Sequence, residues 1–300
     1  MSGTDRLSFL QALVTNDVAT LAAGQGTYAA YLTPQGRMIA DLHVFARADS
    51  IVADVPAAEA KGLADALDQL IFTEDVQVTD ESASLAQLSV IGGNAAGVLS
   101  RPHTDADRLR GLVTWSQLDA GEGFIARTDE ARLESFDVVV PAAEEPAVVQ
   151  ALGEAGAVAI DDDLAEAIRV DAGRPLFGRD MDRETIPLEA GLLERAISTT
   201  KGCYVGQEIV IRVLHRGGGR VARRLVKLLI DEEQREAPAI GATLSVGGRD
   251  IGRLTSVARA LDDSRFVALG YVHRDVAEIG RAVDGVPPVP FHADVIGLAG

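Results

Sequence analysis

The hydrophobic positions of this chain change period several times, and the changes mark its elements. Leu7, Leu10, Leu13, Val14 and Val18 recur at helical spacing, which predicts a short amphipathic helix. Apolar runs at 28–32 and 38–47 flank Thr33-Pro34-Gln35-Gly36-Arg37, where Pro and Gly mark a turn between strands. A second turn at Ala48-Asp49-Ser50 leads into a strand over 51–55. Pro56, at the first helical position, opens a helix over 57–70. A strand around 76–78 closes this set.

The order then recurs. Residues 85–91, 123–127 and 136–140 read as strands, and Pro141 opens a helix running to about Leu152. Val55-Pro56-Ala57-Ala58-Glu59 and Val140-Pro141-Ala142-Ala143-Glu144 repeat the same five letters at a strand-to-helix junction. Two strand–helix sets in similar order predict two α+β lobes with antiparallel sheets. Asp161, Asp162 and Asp163 supply an N-cap for a helix over 164–170, which Gly173-Arg174-Pro175 ends. An irregular segment follows. Periodicity leaves 209–215 open between helix and strand, and Gly217-Gly218-Gly219 reads as a turn. From Val221 the texture is short strands with glycine turns: 221–230, 242–246, 251–258, 266–271 and a last one near 293–296. Strands at that spacing read as a small β-barrel or sandwich. The expected domains are 1–80, 81–224 and 225–300.

Three hundred residues, 47% of them hydrophobic, are enough for two or three cores. No run approaches the roughly 18–20 apolar residues of a membrane helix, and the first residues lack the features of a signal peptide. A single cysteine rules out an internal disulfide and fits a reducing compartment, so the expected location is cytoplasmic. A net charge of −17 argues against general nucleic-acid binding.

Charge also singles out one stretch. From Lys201 to Lys227 seven Lys/Arg (201, 212, 216, 220, 223, 224 and 227) face one acid, Glu208, a local +6 in a chain whose other residues carry −23. Such a reversal reads as an anion-binding place. At its start, Lys201-Gly202-Cys203-Tyr204-Val205-Gly206-Gln207-Glu208 holds the only cysteine, with two glycines beside it and a lysine two residues before it that favours thiolate. A lone cysteine cannot hold an iron–sulfur cluster by itself, because clusters need about four ligands. Gly217 to Arg220 lacks phosphate-loop spacing. His43, His103, His215, His273 and His292 show no metal-site spacing and read as surface or packing residues. Trp115 is the sole tryptophan.

The Lys201–Glu208 motif resembles, residue for residue, the signature of the YgfZ family. These are folate-binding proteins of iron–sulfur cluster maturation, related in fold to the aminomethyltransferase (T-protein) of the glycine cleavage system. The resemblance implies two ferredoxin-like lobes followed by a small C-terminal β-barrel. Gly252-Arg253-Leu254-Thr255-Ser256 and Ala268-Leu269-Gly270-Tyr271-Val272 are similar to barrel segments of both groups. The spacing of Tyr28, Leu32, Gly36, Asp41 and Leu42 resembles a T-protein run ending in Asp-Asp-Leu, whose second aspartate contacts the reactive edge of folate. Asp41 keeps that aspartate, whereas Ala40 replaces the first.

Glu189, in Pro187-Leu188-Glu189-Ala190-Gly191-Leu192, is similar to a glutamate that hydrogen-bonds the pterin ring, and Arg220 to an arginine that contacts the folate's anionic tail. The resemblance thus implies Cys203, Lys201 and Asp41 as chemically active, Tyr28, Asp41, Glu189, Arg220, Gln207 and Glu208 as folate contacts, and no stably bound metal. It implies a reduced folate bound in a cleft formed by the two lobes, with iron–sulfur client or assembly proteins as transient partners. Two other readings stay open: a tetrahydrofolate-dependent aminomethyl or one-carbon transferase, and a scaffold needing neither folate nor thiol.

Overall fold

The computed structural model of the chain describes residues 1–100, 105–215, 218–261, 265–286 and 290–300. His103, Arg216 and Gly217 lie outside them. The chain divides into two compact units.

The first unit comprises residues 1–31, 40–159 and 196–205. It opens with α1 (Arg6–Gln11) and a sheet of three strands in the order β1 (Gly26–Leu32), β2 (Met38–Ala46) and β3 (Ile51–Asp54), followed by α2 (Ala57–Asp68). A second, antiparallel sheet has the order β4-β7-β6-β5, from β4 (Leu85–Ile91), β5 (Gln117–Ala120), β6 (Gly123–Thr128) and β7 (Ser135–Pro141). It packs Ile125, Phe136, Val138 and Val140 against the short helices α3 (Ala95–Leu99) and α4 (Ala106–Arg110), with Val148 and Leu152 of α5 (Glu145–Glu154) at the edge.

The helix expected to run through Val18 stops at Gln11. Val14 instead bridges Tyr31, and Thr15 donates its backbone N–H to Ala30 O. The expected strand at 76–78 is a single bridge between Ser2 and Gln77. The two copies of Val-Pro-Ala-Ala-Glu occupy the same local conformation. Pro56 has φ −52° and ψ 131°, Pro141 φ −51° and ψ 134°, and each precedes helical structure.

The second unit comprises residues 32–39, 160–195 and 206–300. It contains α6 (Asp162–Ala172), capped by the Asp161 side chain accepting from Leu164 N–H and ended by Gly173 in the left-handed conformation. After α7 (Leu193–Ala196), α8 (Gln207–His215) resolves the ambiguous stretch as a helix. Six strands then close an antiparallel barrel: β8 (Arg223–Ile230), β9 (Thr243–Val246), β10 (Arg249–Arg259), β11 (Phe266–His273), β12 (Ala282–Gly285) and β13 (Phe291–Leu298), in the order β10-β11-β8-β13-β12-β9. The expected C-terminal barrel is therefore present, with β12 an additional strand. Its interior holds Val226, Leu228, Ile230, Leu254, Ala268, Val272 and Val295. The opposite faces of β8 and β11 bury Leu225, Val267 and Leu269 against Val170 of α6. Both faces of these strands are covered, so their apolar runs do not alternate. Among the described residues no helix is long and apolar enough to cross a membrane.

Candidate functional site

In the first unit the site starts from strand alternation. Asp41 and His43 are two residues apart on β2 and therefore share a face. Tyr28 on β1 donates its hydroxyl to Asp41 Oδ2 at 2.6 Å. Asp41 is only 8% exposed. Burial raises its carboxyl above the ordinary range, while the Tyr28 hydrogen bond and the nearby His43 pull the other way.

His43 pairs directly across the sheet with Asp54 on β3. Its Nδ1 lies 3.1 Å from Asp54 Oδ2, and its Nε2 lies 3.5 Å from Glu130 Oε1, a distance for an ion pair rather than a well-directed hydrogen bond. Burial alone would lower its pKa, but Asp54 and Glu130 outweigh that and raise it to about 10. The imidazole stacks on Trp115 at 4.4 Å between centroids and meets the Tyr28 ring at 4.8 Å. Trp115 is the one non-glycine described at positive φ, 67°. A bulky residue there costs about 1–3 kcal/mol and persists only where its surroundings over-determine it. Gly26 belongs to those surroundings, because a Cβ on it would come within 2.5 Å of Trp115 O. Nearby, buried Asp137 accepts from Ser89 Oγ at 2.6 Å and Gln87 Nε2 at 3.0 Å, and burial raises its carboxyl to about 6.

Lys201 and Cys203 belong to the same unit. The Lys201 ammonium is buried and spends its three N–H donors on the carbonyls of Gln11 (2.7 Å), Val14 (2.6 Å) and Asn16 (2.9 Å). These carbonyls follow the early end of α1, so the lysine ties the motif to the chain's beginning. Burial lowers its pKa to about 8, with Asp17 opposing. It also lies 5.1 Å from the Tyr204 ring centroid. The Cys203 side chain is exposed.

The remaining candidates lie in the second unit. Gln207 and Glu208 begin α8, and Glu208 pairs with Arg212 one turn on. Glu189 is buried and held twice: its carbonyl accepts from Leu225 N–H at 2.8 Å, and its Oε2 accepts from Arg223 Nε at 2.9 Å. The Arg223 guanidinium also lies 4.5 Å from the Tyr271 ring centroid. Burial raises the pKa of the Tyr271 hydroxyl, with Arg223 and a hydrogen bond to Thr185 pulling the other way. Arg220 is exposed. The sequence-local cationic run is thus largely spent internally, because Lys201, Arg212, Arg223 and Lys227 each have a partner within the protein.

Tyr28 and Asp41 are brought into hydrogen-bond contact, whereas Glu189 meets Arg223, which was not among the expected site residues. His43 and Trp115 were also passed over as site residues. The signal for His43 was the Asp41-Leu42-His43 alternation, and that for Arg223 was its place two residues before Leu225 on β8. Among the described residues no group of three or more His, Cys, Asp or Glu side chains is arranged to hold a metal.

A three-stranded sheet carrying a buried tyrosine–aspartate pair, in a chain that ends in a closed six-stranded barrel, defines an α+β protein of the aminomethyltransferase architecture. Residues 1–201 match the GCVT N-terminal domain, and residues 223–290 match the glycine cleavage T-protein C-terminal barrel domain. The chain belongs to the GCVT family. An aminomethyltransferase of Rubrobacter xylanophilus is 31% identical over 275 residues, which cover 90% of this chain and 72% of the relative. A putative chloroplastic transferase of Arabidopsis thaliana is 27% identical over 94% of this chain, which spans 65% of that protein. The crystal structure of the glycine cleavage system aminomethyltransferase T from Bartonella henselae superposes with a TM-score of 0.87 at 22% identity, covering 99% of this chain and 81% of that one. This last likeness concerns the fold alone.

Proposed function

We propose that the chain binds a reduced folate and transfers a one-carbon unit to it, as a tetrahydrofolate-dependent transferase of the aminomethyltransferase kind. The observation that carries this reading is the buried Tyr28–Asp41 hydrogen bond in the domain shared with named aminomethyltransferases. As the donor's carbon forms two C–N bonds to folate, its bonds to the donor's amine and carrier break; each attacking folate amine sheds a proton, the two leaving groups depart protonated, and an ionised Asp41 is a suitable relay for a proton between them. The second unit, taken by itself, carries groups of the kind a folate's ring and tail require. Glu189, held by Arg223, offers a buried carboxylate to an aminopyrimidine edge. Arg220 supplies an exposed cation for the glutamyl tail.

The expected results are tetrahydrofolate binding by calorimetry and, with an aminomethyl donor, formation of methylenetetrahydrofolate. Asp41→Asn should lower kcat by about 10²–10⁴ while binding persists. Turnover unaffected by Asp41→Asn sinks the transferase reading.

One observation favours a second reading, the iron–sulfur maturation role of the YgfZ type: Cys203 is exposed, whereas its neighbour Lys201 is buried. An exposed thiol is available to a transient partner. Deleting the gene and assaying a labile iron–sulfur enzyme decides it. Rescue by wild type but not by Cys203→Ala supports the maturation role, and equal rescue by both removes the thiol from it.

A further inference from the structure

We propose that His43 is a positioning residue whose imidazolium, clamped by Asp54 and Glu130, sets the ionisation of Asp41. The inference rests on the reading of Asp41 as the folate-facing carboxylate and adds the device that keeps that carboxylate usable inside a buried site.

A neutral imidazole has one N–H and one lone pair, so it can satisfy only one carboxylate. Here each ring nitrogen faces its own, Asp54 Oδ2 at 3.1 Å and Glu130 Oε1 at 3.5 Å. A neutral ring donating to Asp54 would turn its Nε2 lone pair toward the Glu130 carboxylate, whereas the imidazolium hydrogen-bonds Asp54 and pairs its charge with Glu130, and the local balance of charge agrees with it. The titratable groups around the ring are Asp54 from β3, Glu130 from the loop after β6, Asp137 from β7, Asp41 from β2 and Tyr28 from β1. All but the tyrosine are carboxyl groups.

Asp41 feels that cation from the same strand face, and both partners meet Tyr28, whose ring packs on His43 and whose hydroxyl is aimed at Asp41. Burial works to protonate Asp41, and a protonated Asp41 cannot accept a proton. The cation opposes that tendency. Asp54 therefore reaches the reacting group through His43, whereas Glu130 acts both through His43 and directly, its own charge raising the Asp41 carboxyl.

The test reads charge first and ligand second. In the full-length protein, the imidazole NMR signal missing from His43→Gln identifies His43. It should stay in its charged form across neutral pH and titrate near 10, not near the ordinary 6.5. Asp54→Asn should lower the transition by about one unit or more. Adding Asp41→Asn to Asp54→Asn should lower it further, because the coupling is reciprocal. A wild-type transition near 6.5, or no further movement on adding Asp41→Asn, overturns the proposal.

For the ligand arm, turnover with tetrahydrofolate and an aminomethyl donor is measured against pH. His43→Gln should lose about tenfold or more in kcat on the acid side of the profile and little on the alkaline side, with His43→Lys restoring part of the loss. A uniform loss at all pH values assigns His43 a merely structural role and overturns the proposal. Failure of the wild type to bind tetrahydrofolate counts against the function reading alone, since the NMR arm needs no ligand.

Discussion

Asp137 shows how much a single buried carboxyl can weigh. Its folded pKa is raised to about 6 from 3.8, so the folded state binds more protons than the unfolded chain between those values. The associated stability is fully present below pH 3.8 and lost as pH rises through about 6. The difference is on the order of 3 kcal/mol. Asp137→Asn should flatten that window, because an amide has no proton to lose, while Ser89 and Gln87 still offer hydrogen-bonding groups to it. Urea midpoints at about pH 4 and pH 7 check this, and parallel pH profiles for the two proteins would falsify it. Side chains like this one are visible in the sequence only as letters. The alternation along β2 made the shared face of Asp41 and His43 legible, but nothing in it placed Glu130 against the second ring nitrogen. The charge run at 201–227 was equally legible, yet among the described residues its Lys227 and Arg223 are taken up by the distant Asp171 and Glu189.

At the scale of elements, turns and close approaches decide more than propensity. In the second unit Gly36 sits at φ +73° in the turn after β1, where a Cβ would lie 2.8 Å from Ile209 Cβ of α8. Gly36→Ala should therefore combine an unfavourable backbone with a clash at a β-branched side chain and destabilise by about 1–3 kcal/mol. Thermal melting checks this, and an unchanged midpoint counts against that packing. Local patterns located most strands and helices here because alternation and 3.6-residue spacing are properties of neighbouring residues. Pro56 and Pro141 went further, with two equal pentapeptides giving two nearly equal backbone conformations. The pattern failed where a tertiary bond cut an element short. The helical spacing of Leu13, Val14 and Val18 continues past Gln11, but Lys201 takes the carbonyls of Gln11, Val14 and Asn16 from 185 to 190 residues away.

For the molecule as a whole, the barrel of the second unit shows how a distant polar network joins elements. Asp180 is buried between α6 and β10. Its Oδ2 accepts from Arg169 Nη1 at 2.6 Å and its Oδ1 from Ser256 Oγ at 2.7 Å, with Thr255 also donating. Asp180→Ala would leave the mostly buried Arg169 guanidinium with Glu166 as its remaining ion-pair partner. The expected cost is about 3–5 kcal/mol, read as a lower denaturant midpoint. A loss below about 1 kcal/mol would show that the pair behaves as a solvated surface bridge.

The sequence by itself determined the α+β class, the C-terminal barrel strands other than β12, the hairpin turn at Gly36 and the cysteine motif, because each is carried by residues adjacent in the chain. Only the tertiary structure decided the closure of β8 to β13 into a ring, the pairing of Glu189 with Arg223, the anchoring of Lys201 and the two-carboxylate clamp on His43. Those depend on which groups meet after long loops close, and a hydrogen bond or ion pair depends on distance in space rather than on position in the chain.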